Sequence, residues 1–396
     1  MQQAIKDYIL DHEADMVEMR RYLHQHPELS FEEVETTQFF VDKLEELGLP
    51  YRTLDPTGVV TEIEGDHPGK TVLLRGDMDA LAINEANEVD YKSQNEGKMH
   101  ACGHDGHVSM LFLALRALNA NRDLIHGTVR FIFQPAEEIG QGAKTVVGQG
   151  VTEGVDNVFG LHILSADETH KVSVEPGPIL AAGDKFTVKF KGDGGHGAQP
   201  HASKDALLMG AQFATNVQAV VSRTVNPLQP AVVSLGQFES GSRFNIIPGE
   251  STLVGTVRVF DNPTREKIEE GIRKYAQAIA QAWDGQADVE YERLVEFVDN
   301  DWASAELAQK VVTESFGEEN LRHNPATMGS EDFGYFSQQV PGTFATVGCR
   351  NPEKGANYPH HHPNFNIDED ALKTGAELYA QYALAYLCLL YTSPSP

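Results

Sequence analysis

The chain has 396 residues, too many for one ordinary hydrophobic core, so two or three domains are expected. Its 31 basic residues face 58 acidic ones, a net charge of −27, which argues against nucleic acid or an anionic membrane as partner. Three scattered cysteines make no disulfide framework, no run approaches the ~20 apolar residues of a membrane span, and the first residues carry acids where a signal peptide needs a basic start; a reducing, cytoplasmic setting is expected.

In chain order, the first clear element is a helix from Ser30. Ser30 and Glu33 have capping-box spacing, Phe31, Val34, Val41, Leu44 and Leu47 supply an apolar face, and Gly48 is placed to end it. Strand-like runs follow at Gly58 to Ile63, Thr71 to Arg75, Thr128 to Phe133 and Asn157 to Ile163, with helical stretches at Val108 to Leu118 and Gly142 to Val147 between them. This alternation predicts an α/β sheet covered by helices. Asp77 and Asp79, Glu137 and Glu138, and His162 all fall at C-terminal ends of predicted strands, the edge where open α/β sheets bind ligands.

From 182 to 293 the pattern changes. Lys185 to Lys191, Ala231 to Phe238, Ser251 to Phe260 and Ala287 to Leu294 read as strands, and Asp205 to Arg223 and Thr264 to Trp283 as helices. The βαββαβ order predicts a ferredoxin-like domain inserted into the first. The expected division is therefore a discontinuous catalytic domain, 1–181 and 294–396, around an insert of 182–293. An amphipathic helix is expected from Glu369 to Tyr386, and the closing LCLLYTSPSP reads as a non-native end.

The densest chemistry lies in MHACGHDGHVSM, where His100, Cys102, His104, Asp105 and His107 share eight positions just before an apolar helix. Donors gathered at a helix N-terminus suggest a metal. QPAEE, 134–138, places adjacent carboxylates past a strand, so that one can bind a cation while the other moves a proton; adjacent glutamates are also common on solvated helices. PHHHPNF, 359–365, offers three histidines between prolines, at least one of them a candidate ligand. In the insert, GGHGAQPH holds His196 among glycines that allow close approach to a ligand. FNIIPGE and GTVRVF add Asn245 and Arg258, an amide and a guanidinium suited to a carboxylate, although a turn residue and a surface cation are the plainer readings.

These motifs, with RGDMDAL, GLHI and MGSEDFGYF, together resemble the M20 metallopeptidase family. The likeness is to its amidohydrolase branch, which includes hippurate hydrolases, N-acyl-amino-acid amidohydrolases, N-acetyl-diaminopimelate deacetylases and auxin-conjugate hydrolases. The resemblance implies two divalent metal ions held by Cys102, His104, Glu138, His162 and His361, with the Cys102 thiolate in place of a bridging carboxylate. It implies Glu137 as general base and His196 as the inserted-domain histidine that reaches an active site, often that of the partner subunit of a homodimer. His360 and His362 flank His361 as competing donors. Zn²⁺ or Mn²⁺ is expected, with Co²⁺ or Ni²⁺ as alternatives. The expected reaction is hydrolysis of the amide of a small N-acyl amino acid. The alternatives are a dipeptidase or carboxypeptidase, and a metal-binding regulatory protein without turnover.

Overall fold

The computed structural model describes residues 2–388. The reading of the last ten residues as a non-native end concerns a segment that falls, from Leu389 on, outside the described residues. The chain divides into two compact units. One holds the described residues up to Gly177, Asp299–Pro325 and those from Asp332 on; the other holds Pro178–Val298 with Ala326–Glu331.

The first unit is built on an eight-stranded mixed sheet. Its centre is parallel: His126–Gln134, His67–Asp77, Asn157–Glu168 and Gly342–Arg350 run side by side. Val72, Leu73 and Leu74 are fully buried, as the continuous apolar run TVLL requires of a strand covered on both faces. Register decides where the chemistry falls. Asp77 pairs with Gln134, and Arg75 pairs with Gly160, so Asp77, Gln134 and His162 stand at one level, where the first two strands end and Asn157–Glu168 runs on. Arg75 locks that edge, since its fully buried guanidinium donates to Gln134 Oε1 at 2.7 Å and to Asp77 Oδ2 and Asp332 Oδ1 at 2.8 Å each.

Two helices fill the space above the sheet. His104–Asn119 is buried along nearly its whole length and packs on Asp370–Cys388. The latter was expected from sequence as an amphipathic helix over Glu369 to Tyr386. It is buried almost all round because the sheet lies on one side and the helices Gln2–Asp11 and Trp302–Phe316 pack on others. The two N-terminal helices, Gln2–Asp11 and Glu13–Gln25, had no clear sequence signal.

The predicted capping box at Ser30 does not form. The helix begins at Val34, and its first N–H groups are satisfied by Glu28, whose carboxylate accepts from Glu35 at 3.1 Å and Thr36 at 2.8 Å. Ser30 and Glu33 are drawn elsewhere. Ser30 Oγ donates to Asp79, and the Glu33 carboxylate is buried against Thr57 and Ala136.

The second unit has a four-stranded antiparallel sheet in the order Ala231–Ser240, Glu250–Val259, Ala182–Lys191, Gln286–Val295. Alternation along Glu250–Val259 puts Leu253, Val257 and Val259 into a core shared with Phe213, Ile268 and Ile272 of the helices. The single helix expected over 205–223 is two, Ala206–Asn216 and Gln218–Thr224. Asp205 caps the first, and Asp261 caps the long helix Asn262–Ala282. Residues 326–331, which sequence assigned to the first domain, belong here because Thr327 N–H donates to Ile179 O and Ala181 N–H to Gly329 O. Inside this unit Arg265 donates to Asp184 through Nε at 3.0 Å and also through Nη2, while Tyr291 donates to the same carboxylate at 2.6 Å. Among the described residues, no helix is long and apolar enough to cross a membrane.

Candidate active site

Three loops and the strand Asn157–Glu168 bring their side chains together at the C-terminal edge of the first sheet. Gly103, at φ +95°, turns the chain into the helix His104–Asn119, so Cys102 ends the loop while His104 and His107 occupy the first turn. The polar run is therefore helix already, four residues earlier than its apolar pattern suggests.

Hydrogen bonds sort the imidazoles. His162 Nδ1 donates to Ile163 O at 2.5 Å, which leaves Nε2 facing Cys102 Sγ at 3.4 Å. Burial, with His107 and His360 nearby, holds His162 well below the ordinary histidine range, so that Nε2 presents a lone pair. His104 Nδ1 donates to Asp79 Oδ1 at 3.1 Å. Burial opposes charge on His104, but Asp77, Asp79 and Cys102 outweigh it and raise its pKa well above the usual value. The surroundings thus favour positive charge at that ring. His107 is committed on both sides, with Nδ1 donating to Asp77 at 2.6 Å and Nε2 accepting from Ile163 N–H at 2.9 Å. It is a structural histidine.

The glutamate pair leaves its strand through Ala136, at φ +56°. The Glu137 and Glu138 N–H groups both donate to Asp79, at 3.1 and 3.0 Å. Both side chains approach His104 Nε2, Glu137 Oε2 to 4.0 Å and Glu138 Oε1 to 3.9 Å, while Glu138 Oε2 also lies 3.5 Å from His361 Nε2. Of the three consecutive histidines, His361 alone joins the group of donors. His360 Nε2 accepts from Ser165 N–H, and His362 Nδ1 accepts from Asn364 N–H and stacks on Tyr358.

Among the described residues, five three-residue groups have ligand atoms all within 4.8 Å of one another, and two of these include the thiol: Cys102, His104 and His162, and Cys102, Glu138 and His361. They share Cys102. His104 Nε2 and Glu138 Oε1 are buried with no hydrogen-bond partner. Two orphaned buried atoms facing a thiol suit divalent cations, because soft sulfur and imidazole donors with one carboxylate are a common set for them.

The sequence model of Peptidase family M20/M25/M40 matches residues 73–385. The chain belongs to this family. It is 43% identical over 282 residues to the N-acyl-L-amino acid amidohydrolase of Geobacillus stearothermophilus, covering 71% of this chain and 76% of that one. It is 37% identical to thermostable carboxypeptidase 2 of Saccharolobus solfataricus, covering 97% and 98%. Among solved structures, the Bacillus subtilis YXEP protein, a dinuclear metal binding peptidase of the M20 family, superposes with a TM-score of 0.83 at 33% identity over 95% of this chain and 99% of that one. As a member of the M20 family the chain is a metal-dependent hydrolase of linear amide bonds.

The remaining predicted residues of this M20 enzyme lie in the second unit. His196 is exposed on a two-residue strand paired with Ile246–Ile247, and its neighbour Gly197 donates to Asn245 O at 2.9 Å. A Cβ on Gly197 would meet that oxygen at 2.9 Å, so only glycine lets the two segments close. His196 and Asn245 are thus adjacent. Arg258 is not with them. It sits at the far end of the strand Glu250–Val259, eight positions beyond Glu250, or about 26 Å at ordinary strand rise. Its Nη1 donates to Thr256 Oγ1 and, at 3.0 Å, to Val257 O. One substrate carboxylate cannot touch Asn245 and Arg258 of the same chain.

Sequence reasoning placed Asp79 at the ligand-binding edge without giving it a role there, and gave Ser30 and Glu33 a helix cap in place of a part in the site. Asp79 accepts from four groups, the two glutamate N–H groups, His104 and Ser30. Its position at the end of a buried strand was a usable signal; for Ser30 and Glu33 the capping-box pattern pointed the wrong way.

Proposed function

We propose that the protein is a two-metal amidohydrolase that cleaves N-acyl amino acids, such as N-acetyl or N-benzoyl derivatives, to a carboxylate and a free amino acid. The observation that carries this reading is the pair of three-residue groups sharing Cys102, with the Glu137 carboxylate beside them. Cys102, His104 and His162 would hold one ion, and Cys102, Glu138 and His361 the other. Bound there, Zn²⁺ or Mn²⁺, or alternatively Co²⁺ or Ni²⁺, would polarise the amide carbonyl and acidify water.

The rest falls to side chains. Glu137 takes a proton from the attacking water as its oxygen bonds to the carbonyl carbon, then returns it to the nitrogen as the C–N bond breaks. His196 donates to the oxygen that gains charge in the transition state. Asn245 and Arg258 recognise the substrate carboxylate; their separation supports contributions from two subunits of a homodimer formed through the second unit. The strand order of that unit supports a ferredoxin-like lid. Cytoplasmic residence accords with three unpaired cysteines.

A second reading is a carboxypeptidase or dipeptidase, favoured by the full-length likeness to the Saccharolobus carboxypeptidase. A peptide is itself an N-acylated amino acid. Metal-loaded protein offered N-acetyl and N-benzoyl amino acids beside dipeptides and blocked peptides, scored by free amine with and without chelator, separates the two. Faster release from peptides would replace the first reading with the second.

A further inference from the structure

The acidic pair Glu137 and Glu138 is aimed by a backbone conformation that an L-residue adopts only when its surroundings impose it. Ala136, immediately before the pair, is fully buried at φ +56°. Its N–H donates to Glu33 Oε1 at 2.8 Å, across 103 positions of sequence. The other carboxylate oxygen of Glu33 accepts from Thr57 Oγ1 at 2.7 Å, and Glu33 itself is wholly buried.

Neighbouring contacts tighten the same strap. Ser30 holds Asp79, and Ala80 N–H donates to Glu28 O at 2.8 Å. Thr37 Oγ1 donates to Glu33 O and accepts from Gly58 N–H, and a Cβ on Gly58 would strike Pro135 at 2.9 Å. The segment Glu28–Thr37 therefore grips both the loop after Asp77 and the loop that carries the glutamates. From this geometry we infer that Glu33 is a positioning residue. By accepting from Ala136 N–H it fixes the left-handed turn that brings Glu137 and Glu138 to His104 and lets Glu138 reach His361 as well.

The inference rests on the proposed function, in which Glu138 binds metal and Glu137 moves the proton. Its test uses the full-length protein, freed of metal and titrated with Co²⁺, read through the absorption that a Cys102 thiolate gives to bound Co²⁺, together with kcat and KM on an N-acetyl amino acid. Glu33→Ala is expected to weaken Co²⁺ binding 10- to 100-fold, the usual effect of removing an outer partner of a metal ligand. It should lower kcat with little change in KM. Glu33→Gln keeps an acceptor for Ala136 and is expected to restore both to within a few-fold of wild type. Should Glu33→Ala not fold, Glu33→Asp withdraws the acceptor by one methylene while keeping a carboxyl group, and the same losses are expected.

Wild-type Co²⁺ affinity and kcat in the Ala or Asp variant would overturn the inference, as would a Gln variant as impaired as the Ala variant. Failure of the wild type itself to bind Co²⁺ or to release amine would instead strike the proposed function.

Discussion

Asp79→Asn isolates the carboxylate on which the site is hung. Each oxygen of Asp79 serves two donors: Oδ1 takes Glu137 N–H and His104 Nδ1, and Oδ2 takes Glu138 N–H and Ser30 Oγ. An asparagine has one such oxygen, and its NH₂ must face the other pair. Turning the NH₂ toward Ser30 and Glu138 is the cheaper choice, since a hydroxyl can rotate and accept, but it leaves the Glu138 N–H unpaired in the interior. That omission costs about 1–3 kcal/mol. Displaced, Glu138 no longer meets His361, so metal affinity should fall about 10- to 100-fold, equivalent to roughly 1.4–2.8 kcal/mol. Competition against a chromophoric chelator gives the affinity, and urea unfolding of the metal-free protein gives the stability. Ser30→Ala, which removes one of the four donors, serves as comparator and should change affinity only a few-fold. An Asp79→Asn protein with wild-type metal affinity would falsify the assignment of Asp79 as the anchor of the glutamate loop.

Further outcomes follow from the same contacts. Cys102→Ser should lose metal and activity together, as measured by metal content after dialysis, because a hydroxyl is a far poorer anionic bridge than a thiolate. Glu137→Gln should keep its metal and lose about 10²–10⁴ in rate, while Glu138→Gln should lose metal as well; identical behaviour would remove the division of labour. In the second unit, Arg265→Met leaves the buried Asp184 with Tyr291 as its remaining side-chain donor, and should destabilise that unit by about 3–5 kcal/mol on denaturation. Burial, working against the Thr57 and Ala136 hydrogen bonds, pushes Glu33 up to about 7. Its neutral form is the stable one in the fold, so its contribution is full below the unfolded carboxylate pKa of about 4.3 and is lost as pH rises through 7. Glu33→Gln should therefore flatten the decline in stability over that window; an unchanged slope counts against the assignment.

The parallel strands were legible because a strand covered on both faces needs an unbroken apolar run, and Val72–Leu74 and Phe131–Phe133 supply one each. The edge on which the chemistry falls was legible for the same reason, since Asp77, Glu137 and His162 each follow such a run. Local pattern failed where tertiary contacts outbid it. Ser30 and Glu33 have the spacing of a cap, yet Asp79 and Ala136, remote in sequence, claim both side chains, and Glu28 caps the helix instead. The helix at His104 begins earlier than its hydrophobic pattern because Gly103 supplies the turn and buried acids satisfy the polar side chains of its first turn. The separation of Asn245 from Arg258 was implicit in the strand expected over Ser251 to Phe260, which puts Asn245 before its start and Arg258 near its end. Residue type alone, an amide and a guanidinium each suited to a carboxylate, does not reveal it.

Parallel strands cannot be joined by tight turns, so the groups at this edge are brought together by several long connections. Cys102 meets His162 across 60 positions, and Arg75 meets Asp332 across 257. Neither of the two groups that share Cys102 lies within one short stretch of the chain, and loop-closure entropy delays contacts of such span until the sheet has assembled. A half-folded chain therefore lacks the complete pair of groups. Affinity for the ion becomes a gauge of whether the whole first unit has closed, and the ion in turn stabilises only the completed fold.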